Sequence, residues 1–259
     1  MPGIPIFVIS LDDSIARYQN VEKGLSRFGL LPIRVRAVDG RRKAPLLKRA
    51  FKREFYCEKH GRPMSPGEIG CLVSHLKALR QAGRVGAAKA IILEDDVEFS
   101  EDFGAFYHTE LPKLLDVLDV VKLEGIMFAH SSQNGLTVAR GSNCRAIVPM
   151  RPSLGSAGYA VSRRGADSLA AVAREVSEPY DFILSGYERY AARYCEIRPF
   201  MARQSGAGSI IGDATRDLCQ SRKEPSNATK SAVLMVRKVT GRVTSAGRAW
   251  VHARWARSR

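Results

Sequence analysis

Residues 90–100 read AIILEDDVEFS, four apolar residues followed by the three consecutive acids Glu94, Asp95 and Asp96. A short apolar run bounded by polar residues is the pattern of a strand buried on both faces, as inside a parallel sheet. The strand is expected over Lys89 to Leu93, with the acids at its C-terminal end and Val97 to Phe99 extending it past them. Two readings of the acids stay open at this level. A solvated strand end tolerates crowded like charges, and so does a site whose cation neutralises them.

Outward from this strand the elements alternate. Upstream, Ile4 to Ser10 reads as a buried strand, Leu11 to Ser14 as a loop, Ile15 to Phe28 as a helix ended by Gly29, and Ile33 to Val38 as a second strand closed by Asp39 and Gly40. The basic run RRKAPLLKRAFKREFYCEKHGRP then reads as a surface excursion. In MSPGEIGCLVSHLKALRQAG, Ser65 precedes Pro66 and Glu68 follows three residues on, a capping box with proline at the first helical position. That helix is expected to run to about Gln81 and stop at Gly83. Downstream, a helix is expected over Phe103 to Leu115, strand pieces at Asp119 to Leu123 and Ile126 to Ala129, and a turn through SSQNGLTVARGSN. A strand from Gly158 to Val161 then leads into a helix, Arg163 to Glu175, capped by Ser162.

Strands alternating with helices predict an α/β fold with a mostly parallel central sheet flanked by helices, and such sheets bind ligands at the carboxyl ends of their strands. Strand alternation would point Glu94 and Asp96 to one side and Asp95 to the other. An acid-x-acid pair of this kind suits one hard cation, Mn²⁺ or Mg²⁺, shared with the phosphate oxygens of a nucleotide diphosphate.

Composition sets the outer bounds. The chain has 259 residues, 45% of them hydrophobic, enough for one large domain with a proper core or a domain plus a tail. No stretch approaches the roughly 20 apolar residues that cross a bilayer, and the N-terminus lacks a basic segment ahead of its apolar run. Cys57, Cys71, Cys144, Cys195 and Cys219 are odd in number, widely spaced and without a C-x-x-C pair, so neither a disulfide framework nor a zinc motif is expected. A reducing cytoplasm is the expected compartment. Of the net charge of +15, residues 222–259 carry +9, ten Lys or Arg against the single acid Glu224. That basic segment could attract nucleic acid, an anionic membrane or an acidic substrate, since all three reward the same charge.

Six blocks carry a resemblance. FVISLDDSIAR, VRAVDG, MSPGEIGCLVSHLKAL, AIILEDDVEFS, GSAGYAVSRRGADSL and PYDFIL, in this order and spacing, resemble glycosyltransferase family 25, which includes lipooligosaccharide galactosyltransferases and the catalytic domains of collagen galactosyltransferases. The resemblance covers about residues 4 to 212, and implies a GT-A-like nucleotide-sugar transferase domain over 1–212 followed by a basic tail over 213–259. It implies that the acids are this family's D-x-D motif, with Asp96 and Glu94 as metal ligands and Glu94 and Asp95 at the donor. It further implies inverting transfer of a hexose, galactose or glucose, from a UDP-sugar to a lipopolysaccharide- or lipooligosaccharide-type acceptor.

The remaining candidates are read one by one. Glu68 and His75 lie seven residues apart on one border of their helix. Capping competes with a donor contact at Glu68, and an ordinary hydrogen-bonded histidine competes with one at His75. Ser10, Leu11 and Arg17 follow the first strand, where backbone N–H groups and a cation could hold a nucleotide, and Asp39 ends the second, where a carboxylate can accept from ribose or base. Asp181 is the first candidate for the base that takes the acceptor hydroxyl's proton, with helix capping as its competing role; Glu178 and Glu188 rank behind it. Gln204 and Ser209 fall in a late segment that resembles the family's Gln-Ser loop. In the tail, Trp250 and Trp255 among arginines fit a segment lying on anionic lipid, which would place the protein at the inner face of the cytoplasmic membrane, beside a glycolipid acceptor. The alternative is a non-catalytic basic module for membrane surfaces or nucleic acid. Against nucleic acid, the chain shows no aromatic-interleaved basic strand, zinc-ligand spacing or helix-turn-helix signature.

Overall fold

The computed structural model describes residues 3–42, 64–126, 135–175, 178–190 and 192–206. The chain begins β1 (Ile6–Ser10), α1 (Ile15–Ser26), β2 (Pro32–Arg36), α2 (Pro66–Arg84), β3 (Lys89–Glu94) and β4 (Val97–Phe99). It continues with α3 (Phe103–Thr109), α4 (Leu111–Val117), β5 (Val120–Lys122), β6 (Gly135–Arg140), β7 (Arg145–Pro149) and β8 (Gly158–Ser162). Next come α5 (Arg163–Glu175), α6 (Tyr180–Ser185), a 3-10 turn at Tyr187–Tyr190, β9 (Tyr194–Arg198) and β10 (Ala202–Gln204).

Eight strands form the central sheet in the order β2-β1-β3-β8-β5-β9-β7-β6. Six run in one direction; β7 and β8 run against them. This is the expected α/β architecture. Successive side chains of β1 and β3 feed opposite cores: Phe7, Ile9 and Ile92 pack beneath α2 and α5, while Ile6, Val8, Ile91 and Leu93 pack beneath α1, α3 and α4. Burial on both faces is why these strands are written as unbroken apolar runs.

The start of α2 has the predicted cap. The Ser65 hydroxyl accepts from the Glu68 N–H at 3.2 Å, and the Glu68 carboxylate accepts from the Ser65 N–H at 2.6 Å. Two glycines seat this helix against the loop after β2. A Cβ on Gly40 would lie 1.7 Å from the Pro66 carbonyl oxygen, and one on Gly70 would lie 2.6 Å from that of Val38. Backbone meets backbone here, which brings Asp39 to the helix N-terminus.

Several local expectations are corrected. Helix α2 passes through Gly83 and ends at Arg84, because the left-handed turn falls at Gly86, φ +69°. Val97–Phe99 does not prolong β3: the chain turns at Asp95–Asp96, and β4 pairs antiparallel with β10 in a separate two-stranded sheet. The expected helix over 103–115 is two, broken at Glu110 ahead of Pro112, whose missing N–H could not serve a continuous helix. The expected turn through SSQNGLTVARGSN contains β6, with Leu136 and Val138 packed on the core and β7 as its partner. Ser162 caps α5 as expected, its hydroxyl accepting from the Gly165 N–H at 3.1 Å. Of the predicted strand piece at Ile126 to Ala129, Ile126 makes a single bridge to Leu154 and the rest lies outside the described residues, as do the basic excursion from residue 43 to 63, the domain boundary at 212 and the basic tail. No helix among the described residues is long and apolar enough to cross a membrane.

Candidate active site

A cleft opens where β1, β2 and β3 end together beside the N-terminal half of α2. Ser10, Leu11, Arg17, Asp39, His75, Glu94, Asp95, Asp96 and Gln204 line it, so the fold brings nine of the sequence candidates together. Glu68 and Asp181 are not among its lining residues, and Ser209 lies outside the described residues.

The acids do not divide as strand alternation predicts. Because the strand ends at Glu94 and the next two residues turn, one Arg17 nitrogen reaches both Asp95 (2.9 Å) and Asp96 (3.0 Å). Glu94 is held separately: its Oε1 accepts from Ser156 Oγ at 2.7 Å and lies 3.2 Å from His75 Nε2. The electrostatics follow from these partners. Burial pushes the Glu94 carboxyl up, but the hydrogen bonds of His75 and Ser156 with the charge of Arg17 outweigh it, and its pKa lies below the ordinary value. Burial raises Asp95 against the opposing hydrogen bond of Ser10 and charge of Arg17. Asp96, its side chain only 9% exposed, is pushed up to about 6, first by burial and then by the charge of Glu94. Its Oδ1 is buried and has no hydrogen-bond partner among the described residues. A buried carboxylate oxygen with neither partner nor solvent is costly unless a ligand meets it. The set therefore fits a hard divalent cation: clustered carboxylates, one with an unpartnered oxygen, facing a cleft.

His75 is buried between two tyrosines. Its Nδ1 lies 3.1 Å from the Tyr159 hydroxyl, which lies 2.8 Å from that of Tyr180, and its ring stacks on Tyr180 with centroids 4.1 Å apart. Asp39 is engaged by the two residues that follow the Asp39–Gly40 turn. Its Oδ1 accepts from the backbone and Nε of Arg41, both at 3.0 Å, and Arg42 lies 3.3 Å from Oδ2. The Arg41 hydrogen bond, foremost, holds its carboxyl below the usual range. Glu68 is occupied by the capping box. Asp181, in the first turn of α6, accepts from the Phe182 N–H at 3.0 Å; burial raises its pKa, Lys122 opposes the rise, and the charges of Glu68 and Glu94 add to it. Glu178 is fully buried against Arg189, a structural pair.

Four features escape a reading along the chain. Arg41 lines the cleft and brings charge beside Asp39. Ser156 orients Glu94 from the loop before β8. Glu124, past the end of β5, accepts from the Ala157 N–H at 3.2 Å and is pushed up to about 7 by burial, with the charge of Glu94 adding to it. Lys122 is fully buried, donates to the Ser153 carbonyl at 2.6 Å and is pulled down to about 8 by burial. The signal available in sequence was charge in KLEG directly after an apolar strand, the same signature that marked EDD.

The sequence profile of Glycosyltransferase family 25 (LPS biosynthesis protein) matches residues 3–184. A glycosyltransferase 25 family member of Drosophila pseudoobscura pseudoobscura is 27% identical over 64% of this chain and 27% of its own length. Procollagen galactosyltransferase 1-B of Xenopus laevis is 29% identical over 42% of this chain and 18% of its own length. The chain thus spans about a quarter or less of these relatives. Among solved structures, a glycosyltransferase involved in the glycosylation of the major capsid of PBCV-1 aligns over 84% of this chain and 98% of its own, at 12% identity and a TM-score of 0.39.

Proposed function

The chain belongs to glycosyltransferase family 25, and on that premise we propose that it transfers a hexose, galactose or glucose, from a UDP-sugar to a lipopolysaccharide- or lipooligosaccharide-type acceptor with inversion at the anomeric carbon. The observation that carries this reading is the buried Oδ1 of Asp96, without a partner among the described residues, in a cleft where Arg17 bridges Asp95 and Asp96 beside Glu94 at the ends of parallel strands. Asp96 and Glu94 would hold Mn²⁺ or Mg²⁺ there. When bound, such an ion supplies positive charge against the departing diphosphate.

The rest of the chemistry is assigned to the chain's own side chains. Arg17 and Arg41 border the cleft with charge suited to phosphate oxygens. The backbone at Ser10–Leu11 and the Asp39 carboxylate bind and orient the nucleoside, and His75 with Gln204 contacts the donor. Asp181 takes the proton of the acceptor hydroxyl as the glycosyl bond forms, at Oδ2, because Oδ1 already accepts from Phe182. The raised pKa of Asp181, caused chiefly by burial, makes it a stronger base than a solvated carboxylate. The basic segment 222–259 would hold the enzyme on the inner face of the cytoplasmic membrane, where a lipid-anchored acceptor lies.

Incubating the purified chain with a panel of nucleotide sugars, with and without Mn²⁺, tests the reading. Slow metal-dependent hydrolysis of one UDP-hexose is expected. A protein that neither hydrolyses nor binds any donor, yet sediments with anionic vesicles or binds oligonucleotides, would be a basic binding module instead.

A further inference from the structure

Cys71 and His75 are four residues apart on α2 and so share one face of the helix, and that face meets the end of β3 at Glu94. One ligating atom from each of the three residues lies within 4.8 Å of the other two, and all three residues line the cleft. We propose that Cys71, His75 and Glu94 form a thiolate–imidazole–carboxylate site for a zinc-class divalent cation, different in chemistry from the carboxylate site at Asp96 and sharing Glu94 with it.

Two features favour a ligand set over a merely packed histidine. First, one pair of ligand atoms has the separation of a tetrahedral site, whose bonds of about 2.0–2.3 Å place ligand atoms roughly 3–4 Å apart, and the Cys71 sulfur lies within 4.8 Å of both. His75 Nε2 and Glu94 Oε1 are already 3.2 Å apart. Second, the outer partners are those that orient metal ligands. In the free protein Nε2–H donates to Glu94; a cation would be met by the other tautomer, with Nδ1–H donated to the Tyr159 hydroxyl and the Nε2 lone pair turned to the ion, while stacking on Tyr180 fixes the ring and Ser156 fixes the carboxylate.

Ligand softness separates this site from the first. A thiolate and an imidazole select zinc over Mg²⁺ or Mn²⁺, which prefer oxygen-only sets. Burial holds the Cys71 thiol protonated in the free protein, and a bound cation displaces that proton to solvent. Three protein ligands leave the fourth position to a water or a substrate oxygen. Because Glu94 belongs to both sites, zinc here withdraws a carboxylate from the hard-cation site, and Zn²⁺ should oppose Mn²⁺ in donor hydrolysis. That consequence rests on the proposed transferase reading; the binding experiment does not.

The full chain, reduced and metal-free, is titrated with Co²⁺ alone. One equivalent should produce a thiolate-to-cobalt charge-transfer band in the near ultraviolet, lost on adding Zn²⁺. Cys71→Ser should abolish the band, Cys144→Ser and Cys195→Ser should keep it, and Tyr159→Phe should weaken Co²⁺ binding about tenfold through the lost outer partner. In the wild-type protein, which needs no substitution to fold, Zn²⁺ but not Mn²⁺ should protect Cys71 from alkylation, read by peptide mass. Absence of the band, its survival in Cys71→Ser, or alkylation of Cys71 indifferent to Zn²⁺ would each overturn the site and leave His75 a packed histidine.

Discussion

Replacing Asp96 by asparagine should stabilise the metal-free protein while abolishing its metal-dependent nucleotide binding. The magnitude follows from the side chain's surroundings. Asp96 is raised from an ordinary 3.8 to about 6, by burial first and by Glu94 second, with Arg17 opposing. At pH 7 the residue is ionised in both states, and holding that charge in the fold costs on the order of 3 kcal/mol relative to a neutral side chain of the same shape, at about 1.4 kcal/mol per unit of pKa. The sign is set by the direction of the shift. Below about pH 4 both states are protonated and the stability is fully present; it is lost as pH rises through the folded value near 6 and then levels off. The amide of Asp96→Asn keeps a neutral acceptor for Arg17 and removes the charge, so the substitution should flatten this segment of the profile. Urea denaturation of both proteins in chelator, at pH 4.5 and pH 7, reads the effect. A gain of about 1–3 kcal/mol at pH 7, and a smaller one at the lower pH, is expected, roughly 2–12 °C in Tm for a domain of this size. In the wild type, Mn²⁺ with UDP should recover stability that the variant does not recover. An Asp96→Asn protein that is less stable at pH 7, or equally stabilised by Mn²⁺ with UDP, would refute the reasoning, because it would mean that Asp96 is structurally satisfied without a ligand.

Three further outcomes are expected. Asp181→Asn should bind UDP and metal with unchanged affinity by calorimetry while losing transfer, since it removes a proton acceptor and no phosphate contact; a parallel loss of affinity would make Asp181 a donor-site residue or a cap. Gly155→Ala should cost about 1–3 kcal/mol, because Gly155 has φ +97° and a Cβ there would lie 2.9 Å from the Glu124 carboxylate. By moving Ser156 away from Glu94 it should also weaken donor binding, and a melt and a UDP titration together check both effects. Removing residues after Gly212 should release the protein from anionic vesicles, with affinity in the full chain falling as salt rises, and should spare donor hydrolysis; sedimentation of the truncated protein with such vesicles would count against the tail.

Legibility in the sequence followed the range of the forces involved. The capping box at Ser65–Glu68 depends on atoms three residues apart, and it forms as read. The β3 strand is legible because burial on both faces leaves an unbroken apolar run, and its acids fall at the edge where parallel strands end together, the edge at which such sheets bind ligands. β6 reads as turn because its Gly135 and flanking Ser and Asn residues outweigh its alternating Leu136 and Val138 until β7 lies alongside and supplies a pairing partner. The division of the 103–115 segment is written in Pro112, a signal that the apolar content around it masks.

By itself the sequence determined the strand–helix alternation, the cluster of charge at residues 94–96 and nine of the side chains that line the cleft, since these depend on composition and on neighbours a few positions away. Tertiary structure decided how those side chains pair. Arg17 bridges Asp95 and Asp96 because α1 passes beside the end of β3, and Glu94 belongs with His75, Cys71 and Ser156 because α2 and the loop before β8 converge on it. Contacts between residues 19 to 79 positions apart are set by sheet order and helix packing, and the unpartnered oxygen of Asp96 exists only once those elements have closed around it.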